Sequence, residues 1–388
     1  MTPHSTEEEI SNVIFTFFAG FKPLFSAAEH ENLVLFVLGL LSDTRNKTVA
    51  GIARLDGLKD HTVLSKFLQS KNTGTVFAKL RQMFFDAVDW TKPVYFYLDD
   101  TVVKKTGKKV RGEFNYSSSD KKTVKSNCFV IGLAKSGDFS LPFDVAKYFK
   151  KANPFKSKVQ LAVAMMHSFL RRVKQSTKVV FVFDSWYANK TILKTVRKAK
   201  AFFITRFKSN RKVHGGKLRG SLALEEFGKR LPKKLFKKVT LKNGRMFYVF
   251  SQVLSVNKAG VVKVVFTRKK KNGRKIVCLA SNDLDAEAGL IIQQYADRWG
   301  IEQFFKELKN EFGFDEFQDV RQVVVSRHIT LSLASYSLAA LVKQFLGEMS
   351  KTACSMRKAV EKIRGFLSEV KRKLLQRLYR REINIAID

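Results

Sequence analysis

A change of hydrophobic period at Pro93 constrains this chain's fold more than any other feature of its sequence. Ahead of it, apolar residues recur at helical spacing, through Ile10, Val13, Ile14, Phe17 and Phe18 and again from Leu33 to Leu41. Behind it stand the β-rich runs Val94 to Leu98, closed by Asp99 and Asp100, and Cys128 to Ala134. A helical segment over 159–173, a buried run from Val179 to Phe183 and a strand from Ala201 to Phe207 follow. Strand, strand, helix, strand predicts an α/β fold with a mixed sheet flanked by helices. Asn243-Gly244 and Asn272-Gly273 each separate β-rich arms, which marks hairpins within a β-rich stretch over 208–283. Helix is expected again from Ala286 to Phe312 and onward to a basic end at Lys371, Arg372, Lys373, Arg377, Arg380 and Arg381.

Charge narrows the range of partners. The 388 residues carry 72 Lys and Arg against 34 Asp and Glu, a net charge of +38, which implies a polyanionic partner, with nucleic acid foremost. Residues 1–90 hold nine basic and ten acidic side chains, so nearly the whole excess lies behind them. The basic hairpin residues Lys242, Arg245, Lys269 and Lys270, interleaved with aromatics such as Phe247 and Tyr248, suit contact with a DNA backbone; inward-facing aromatics are the simpler account of the rings. A helix pair over 48–55 and 61–69 either presents Thr62 and Lys66 to a DNA groove or packs as plain helices. Three cysteines without a C-x-x-C pair indicate neither a zinc site nor a disulfide framework. The run from Leu33 to Leu41 is too short to span a bilayer, and Glu7, Glu8 and Glu9 are the wrong charge for a signal-peptide start, so the expectation is a soluble intracellular protein.

The densest cluster of chemistry is the segment from Tyr295 to Lys309. On one helix, Tyr295, Arg298, Glu302 and Lys309 fall within roughly 60° of each other, beside an apolar stripe of Ile301, Phe304, Phe305 and Leu308. A carboxylate among cations suits phosphodiester chemistry, although Arg298 and Glu302 also fit an ordinary surface pair. Asp99, Asp100 and Asp184 end apolar strands, where a single aspartate commonly caps a turn. Gathered together, such acids repel one another unless a divalent cation is held, and oxygen donors alone favour Mg²⁺ or Mn²⁺. Two such ions can activate a water or a 3′-hydroxyl and stabilise the leaving oxygen.

These residues resemble the DDE transposases of bacterial and archaeal insertion sequences, which have a ribonuclease H-like catalytic core. Tyr295, Arg298, Glu302 and Lys309 match the spacing around the family's third acid; Asp100-Thr101 after an apolar strand matches the first, and Asp184-Ser185-Trp186-Tyr187 the second. The resemblance covers roughly residues 30–345. It implies that Asp100, Asp184 and Glu302 are the catalytic residues and bind two Mg²⁺ or Mn²⁺ ions, while Tyr295, Arg298 and Lys309 hold DNA phosphates. Pattern alone leaves Asp99 and Asp100 open, because adjacent strand residues face opposite ways; the resemblance selects Asp100. Some relatives trap a flipped base with a tryptophan in the insertion, yet Trp90, Trp186 and Trp299 all lie outside it here.

The resulting expectation is a DNA transposase that cuts the ends of a mobile element and joins the 3′ ends to target DNA. Its partners are double-stranded DNA and a second copy of the chain, with no nucleotide cofactor and no membrane, in a prokaryotic cytoplasm at the nucleoid. The domains implied are a helical accessory or DNA-binding region over 1–90, a catalytic core split between 91–207 and 284–345, a basic insertion over 208–283, and a basic helical region over 346–388. A nuclease of the same fold that cuts without joining is the alternative, as is a DNA-binding protein derived from a transposase.

Overall fold

The computed structural model of the chain describes residues 3–42, 46–56, 60–70, 73–105, 113–117, 120–214, 220–319, 321–350 and 354–368. The basic end expected over 371–381 and residues 57–59, between the two helices expected over 48–55 and 61–69, lie outside them.

The first segment is helical, as its period predicts: α1 (Pro3–Ala19), α2 (Ala27–Leu41), α3 (Val49–Asp56), α4 (His61–Phe67) and α5 (Thr73–Ala87). Ser26 and Glu29 form a reciprocal capping box that starts α2. The α2 and α3 backbones approach closely at Gly39, where an added Cβ would lie 2.4 Å from Ile52 Cγ2.

From Val94 the chain turns to β1 (Val94–Lys104), β2 (Glu113–Ser117), β3 (Lys122–Ser136), β4 (Phe139–Tyr148), α6 (Lys158–Leu170), β5 (Val179–Phe183), α7 (Lys190–Lys198) and β6 (Phe202–Arg206). β1 pairs antiparallel with β3 and parallel with β5; β3 pairs antiparallel with β4, and β5 parallel with β6. The order β4-β3-β1-β5-β6, antiparallel on one side of β1 and parallel on the other, is a ribonuclease H-like mixed sheet. β5 reads Val-Val-Phe-Val-Phe because it is central and covered on both faces, and all five of its residues are buried. Phenylalanines cluster here: Phe96 packs against Phe143, Phe181 and, from α6, Phe169.

β1 is longer than its apolar run. Asp99 and Asp100 do not close it but sit within it, because pairing with β3 continues to Lys104 opposite Ser126. Ladder bonds from β3 outweigh the poor strand propensity of aspartate.

Then come β7 (Lys212–His214), β8 (Ser221–Ala223), α8 (Leu224–Arg230), β9 (Lys237–Thr240), β10 (Met246–Val256), β11 (Gly260–Arg268) and β12 (Val277–Ser281). Gly244, at φ +77°, turns the chain between β9 and β10, and β11 pairs with β12. β12 also pairs with β6, so these strands extend the same sheet rather than building another. Phe250 and Phe266 stack on each other in this part of the core.

The described residues close with α9 (Ala288–Asp297), α10 (Trp299–Glu311), α11 (Gln322–Ser350) and a helix over 356–368. The single helix expected over 286–312 is instead two, meeting at Arg298. Hydrogen bonds there span three residues, from Arg298 N–H to Tyr295 and from Ile301 N–H to Arg298. α11 packs on α1, α2, α5 and β4 and joins the helical N-terminal segment to the sheet. It is long and apolar enough to cross a membrane, but 78% of its apolar window is buried inside the fold, so it is a core helix.

Candidate active site

β1 and β5 run parallel with Leu98 opposite Phe183, so Asp99 and Asp184 each stand one step beyond that pair. Asp184 begins the loop after β5, and its Oδ1 accepts the Trp186 and Tyr187 N–H groups at 2.9 and 3.2 Å. The Asp-Ser-Trp-Tyr sequence therefore fixes its own carboxylate through a local turn. Thr205, in the neighbouring β6, donates to the Asp184 carbonyl at 3.1 Å.

The third acid arrives on α10. Ile301, Phe304, Phe305 and Leu308 are buried, and Glu302 beside them meets Arg298, through which it is linked to Asp99 within β1. Arg298, at the joint of α9 and α10, bridges the acids: Nη1 donates to Asp99 at 2.9 Å and Nη2 to Glu302 at 2.7 Å. Its guanidinium also lies 5.6 Å from the centre of the Tyr295 ring. Lys309 reaches back to the Val102 carbonyl at 3.0 Å. Of the four polar residues placed on one helix face, Tyr295 belongs to α9, Arg298 to the joint, and Glu302 and Lys309 to α10.

Asp100 has a different set of partners. Lys158 at the start of α6 donates to it at 2.6 Å, the Tyr187 hydroxyl at 3.0 Å, and the Cys128 thiol at 3.5 Å. Lys158 was not singled out by sequence reasoning, and Tyr187 only as the last residue of the motif around Asp184. The one local signal is a lysine directly behind the helix cap Ser157, at the end of α6 that disfavours a cation.

Electrostatics tie the two halves together. Burial pushes Asp99 up to about 7; Arg298 opposes this, and repulsion from Asp184 and Asp100 adds to it. Asp184 is also raised by burial and by Asp100, against its two N–H donors and Arg298. Burial raises the Tyr295 hydroxyl and lowers Lys309. The donor set is entirely hard oxygen, and two cationic side chains already stand against it, so its chemistry fits a divalent ion. In the arrangement described, Arg298 and Lys158 occupy the carboxylate oxygens, and among the described residues no three acids, histidines or cysteines are grouped to hold a metal.

The other predicted DNA contacts lie apart. Lys242 and Arg245 are exposed on the β9–β10 turn, and the Lys242 N–H donates to Gln293 of α9 at 3.0 Å, two residues ahead of Tyr295. Lys269 and Lys270 are exposed just after β11. Arg268 beside them is buried, donating to the Gly228 carbonyl at 3.1 Å with its guanidinium 4.0 Å from the Phe236 ring centre.

Residues 90–338 match the family model described as a transposase DDE domain. No curated protein sequence matches the chain. Its fold is similar to that of piggyBac transposase in a cryo-EM structure of the synaptic complex with hairpin DNA, at 12% identity and a TM-score of 0.49, covering 98% of this chain and 80% of that one.

Proposed function

Since the chain belongs to the transposase DDE-domain family, and so acts in DNA transposition, we propose that it cuts the ends of an insertion sequence and joins the freed 3′ ends to target DNA. The observation that carries the reading is that Arg298 bonds Asp99 and Glu302 at once, with Asp184 and Asp100 near enough to Asp99 to raise its pKa, in a strongly basic chain.

Members of the family use divalent metal ions. On this reading Asp100, Asp184 and Glu302 hold two Mg²⁺ or Mn²⁺ ions. Bound there, such ions lower the pKa of an attacking water or 3′-hydroxyl and stabilise the leaving oxygen. Cleavage breaks one phosphodiester with water and leaves a 3′-hydroxyl and a 5′-phosphate; in joining, that hydroxyl attacks a target phosphodiester, one P–O bond forms as the target's P–O3′ bond breaks and its 3′-oxygen leaves as a hydroxyl, so no nucleotide cofactor is consumed. Tyr295, Arg298 and Lys309 position the scissile phosphate, and Lys242, Arg245, Lys269 and Lys270 hold the flanking backbone. A homodimer brings the two ends together.

One observation favours a second assignment within the site. Asp99, not Asp100, shares Arg298 with Glu302, and the two carboxylates therefore face one position. Asp99→Asn and Asp100→Asn separate the assignments, because only the ligand should abolish cleavage.

The test is a labelled duplex bearing the element's terminal repeat, incubated with Mg²⁺ and target plasmid. Cleaved and joined products are expected, with Asp184→Asn and Glu302→Gln abolishing both while still shifting the duplex. Variants that continue to cut would remove the catalytic assignment, and cleavage without joined product would mark a nuclease.

A further inference from the structure

We propose that the β2–β3 hairpin carries a base-stacking surface, on which Phe114 and Tyr116 take the unpaired bases of an opened DNA duplex. The inference rests on the chain's acting on DNA and needs no assignment of metal ligands.

β2, at the edge of the sheet beside β3, is built inside out. An antiparallel strand with one solvated face ordinarily turns its apolar side chains inward and its polar ones to water. Here Asn115 and Ser117 are 5% and 3% exposed, while Phe114 and Tyr116, alternating with them, are 66% and 63% exposed. A slip of one residue would bury both rings. Polar bonds hold the strand against that slip. Asn115 donates to the Ser126 carbonyl at 3.2 Å, Ser117 bonds to Asp120, and the Lys150 ammonium donates to the Phe114 carbonyl at 2.5 Å. Two large rings kept in water on one face of a strand mark a surface with a partner.

Charge identifies that partner. Phe114 lies opposite Lys125 in the ladder, Lys121 and Lys122 are exposed where β3 begins, and Lys150 and Lys151 are exposed against β2. The nearby acids are already engaged: Glu113 accepts the Lys150 and Lys151 N–H groups, and Asp120 pairs with Lys104. Lysines interleaved with exposed rings suit a nucleic acid, which offers phosphate to the one and base faces to the other. A ring reaches a base face only where the base has left its stack, so the occupant is a stretch of unpaired bases.

Position agrees with charge. Asp99 lies opposite Ile131 of β3, Phe114 opposite Lys125 and Tyr116 opposite Thr123. These β3 residues are an even number of steps apart, so both rings lie on the face of the sheet that carries Asp99, roughly 20–27 Å farther along the strand. Phe314 and Phe317 cover Phe129 on the stretch between. DNA that reaches Asp99 and Glu302 therefore meets the rings within one helical turn, about 34 Å.

The experiment measures binding by fluorescence anisotropy, without added metal, to a labelled duplex of arbitrary sequence and to the same duplex opened by a central bubble of about six unpaired bases. The wild type should prefer the bubble by about tenfold, and Phe114→Ala with Tyr116→Ala should remove most of that preference while changing intact-duplex affinity by less than about twofold. Phe114→Tyr with Tyr116→Phe, which keeps both rings, should retain it. The salt dependence of duplex binding should stay the same in every variant, because no charge is removed. Circular dichroism checks the fold, and leucine at both positions replaces alanine if the fold is lost. An alanine variant that keeps the preference overturns the surface, and so does one that weakens both probes equally. A change in the sedimentation of the DNA-free protein would assign the rings to a second copy of the chain and overturn it as well. If the wild type still cuts and joins a terminal-repeat duplex in any of these cases, the proposed function stands and only the surface fails. A wild type that binds neither probe defeats the two together.

Discussion

Lys309 Nζ donates to the main-chain carbonyl of Val102 at 3.0 Å and so fastens the helix carrying Glu302 to the strand carrying Asp99 and Asp100. Burial lowers the pKa of this ammonium, and on the proposed reading the same group also contacts DNA phosphate. Lys309→Met should cost about 1–2 kcal/mol of stability from the lost charged hydrogen bond, measurable by urea denaturation. It should also slow cleavage of a saturating end duplex, since Glu302 loses its anchor to β1. Unchanged stability with weaker end binding would instead make Lys309 purely a phosphate contact.

Arg298 is 13% exposed and is the shared partner of Asp99 and Glu302. Replacing it with methionine leaves two partly buried carboxylates facing each other with no counter-charge. The expected loss is about 2–3 kcal/mol at pH 8, smaller near pH 5, where Asp99 is protonated in the folded chain. The sign follows from its pKa: burial raises Asp99 from 3.8 to about 7, so its burden on the fold is absent below 3.8 and grows as pH rises through 7. Thermal unfolding of the variant at the two pH values checks this.

What could be read from the sequence, and what could not, divides along a physical line. Val179–Phe183 was legible because a strand covered on both faces must be continuously apolar. The placement of Asp99 and Asp100 inside β1 was not, since the pairing that extends the strand is supplied by β3, about thirty residues later. The joint at Arg298 was hidden because no proline marks the break and Asp297, a capping residue type, accepts from Gln293 instead, so the N-cap position falls on Arg298 with no side-chain cap bond. The acids were singled out through their residue types, their flanking strands and the family resemblance. Lys158 was missed because its role depends on a partner 58 residues away on another element.

Gly132 lies opposite Leu98 in the β1–β3 ladder, and a Cβ built on it would meet the Phe96 ring at 2.2 Å. The ring is held in turn by Phe143, Phe169 and Phe181, so it has little room to move. Gly132→Ala should therefore destabilise by about 1–3 kcal/mol through overpacking, despite the better strand propensity of alanine. Differential scanning calorimetry tests the claim, and an unchanged or raised Tm would show that the Phe96 cluster yields.

His328 links α11 to the loop after α10: Nε2 donates to the Gly313 carbonyl at 2.7 Å, and the ring packs edge-on against Phe36 at 5.8 Å. Burial holds the imidazole down to about 4, helped by the Lys105 charge and opposed by the Gly313 bond. Its folded pKa is thus below the unfolded value near 6.5, so the unfolded chain takes up the proton first as pH falls. The stability it protects is complete above pH 6.5 and is lost progressively down to about 4, to a total of about 3 kcal/mol. Urea denaturation at pH 7, 6 and 5 should show that decline in the wild type, and His328→Gln should flatten it while lowering stability at pH 7. A wild-type curve as flat as the variant's would mean that the imidazole titrates normally in the fold, and that the packing of α11 against α2 leaves water a path to it.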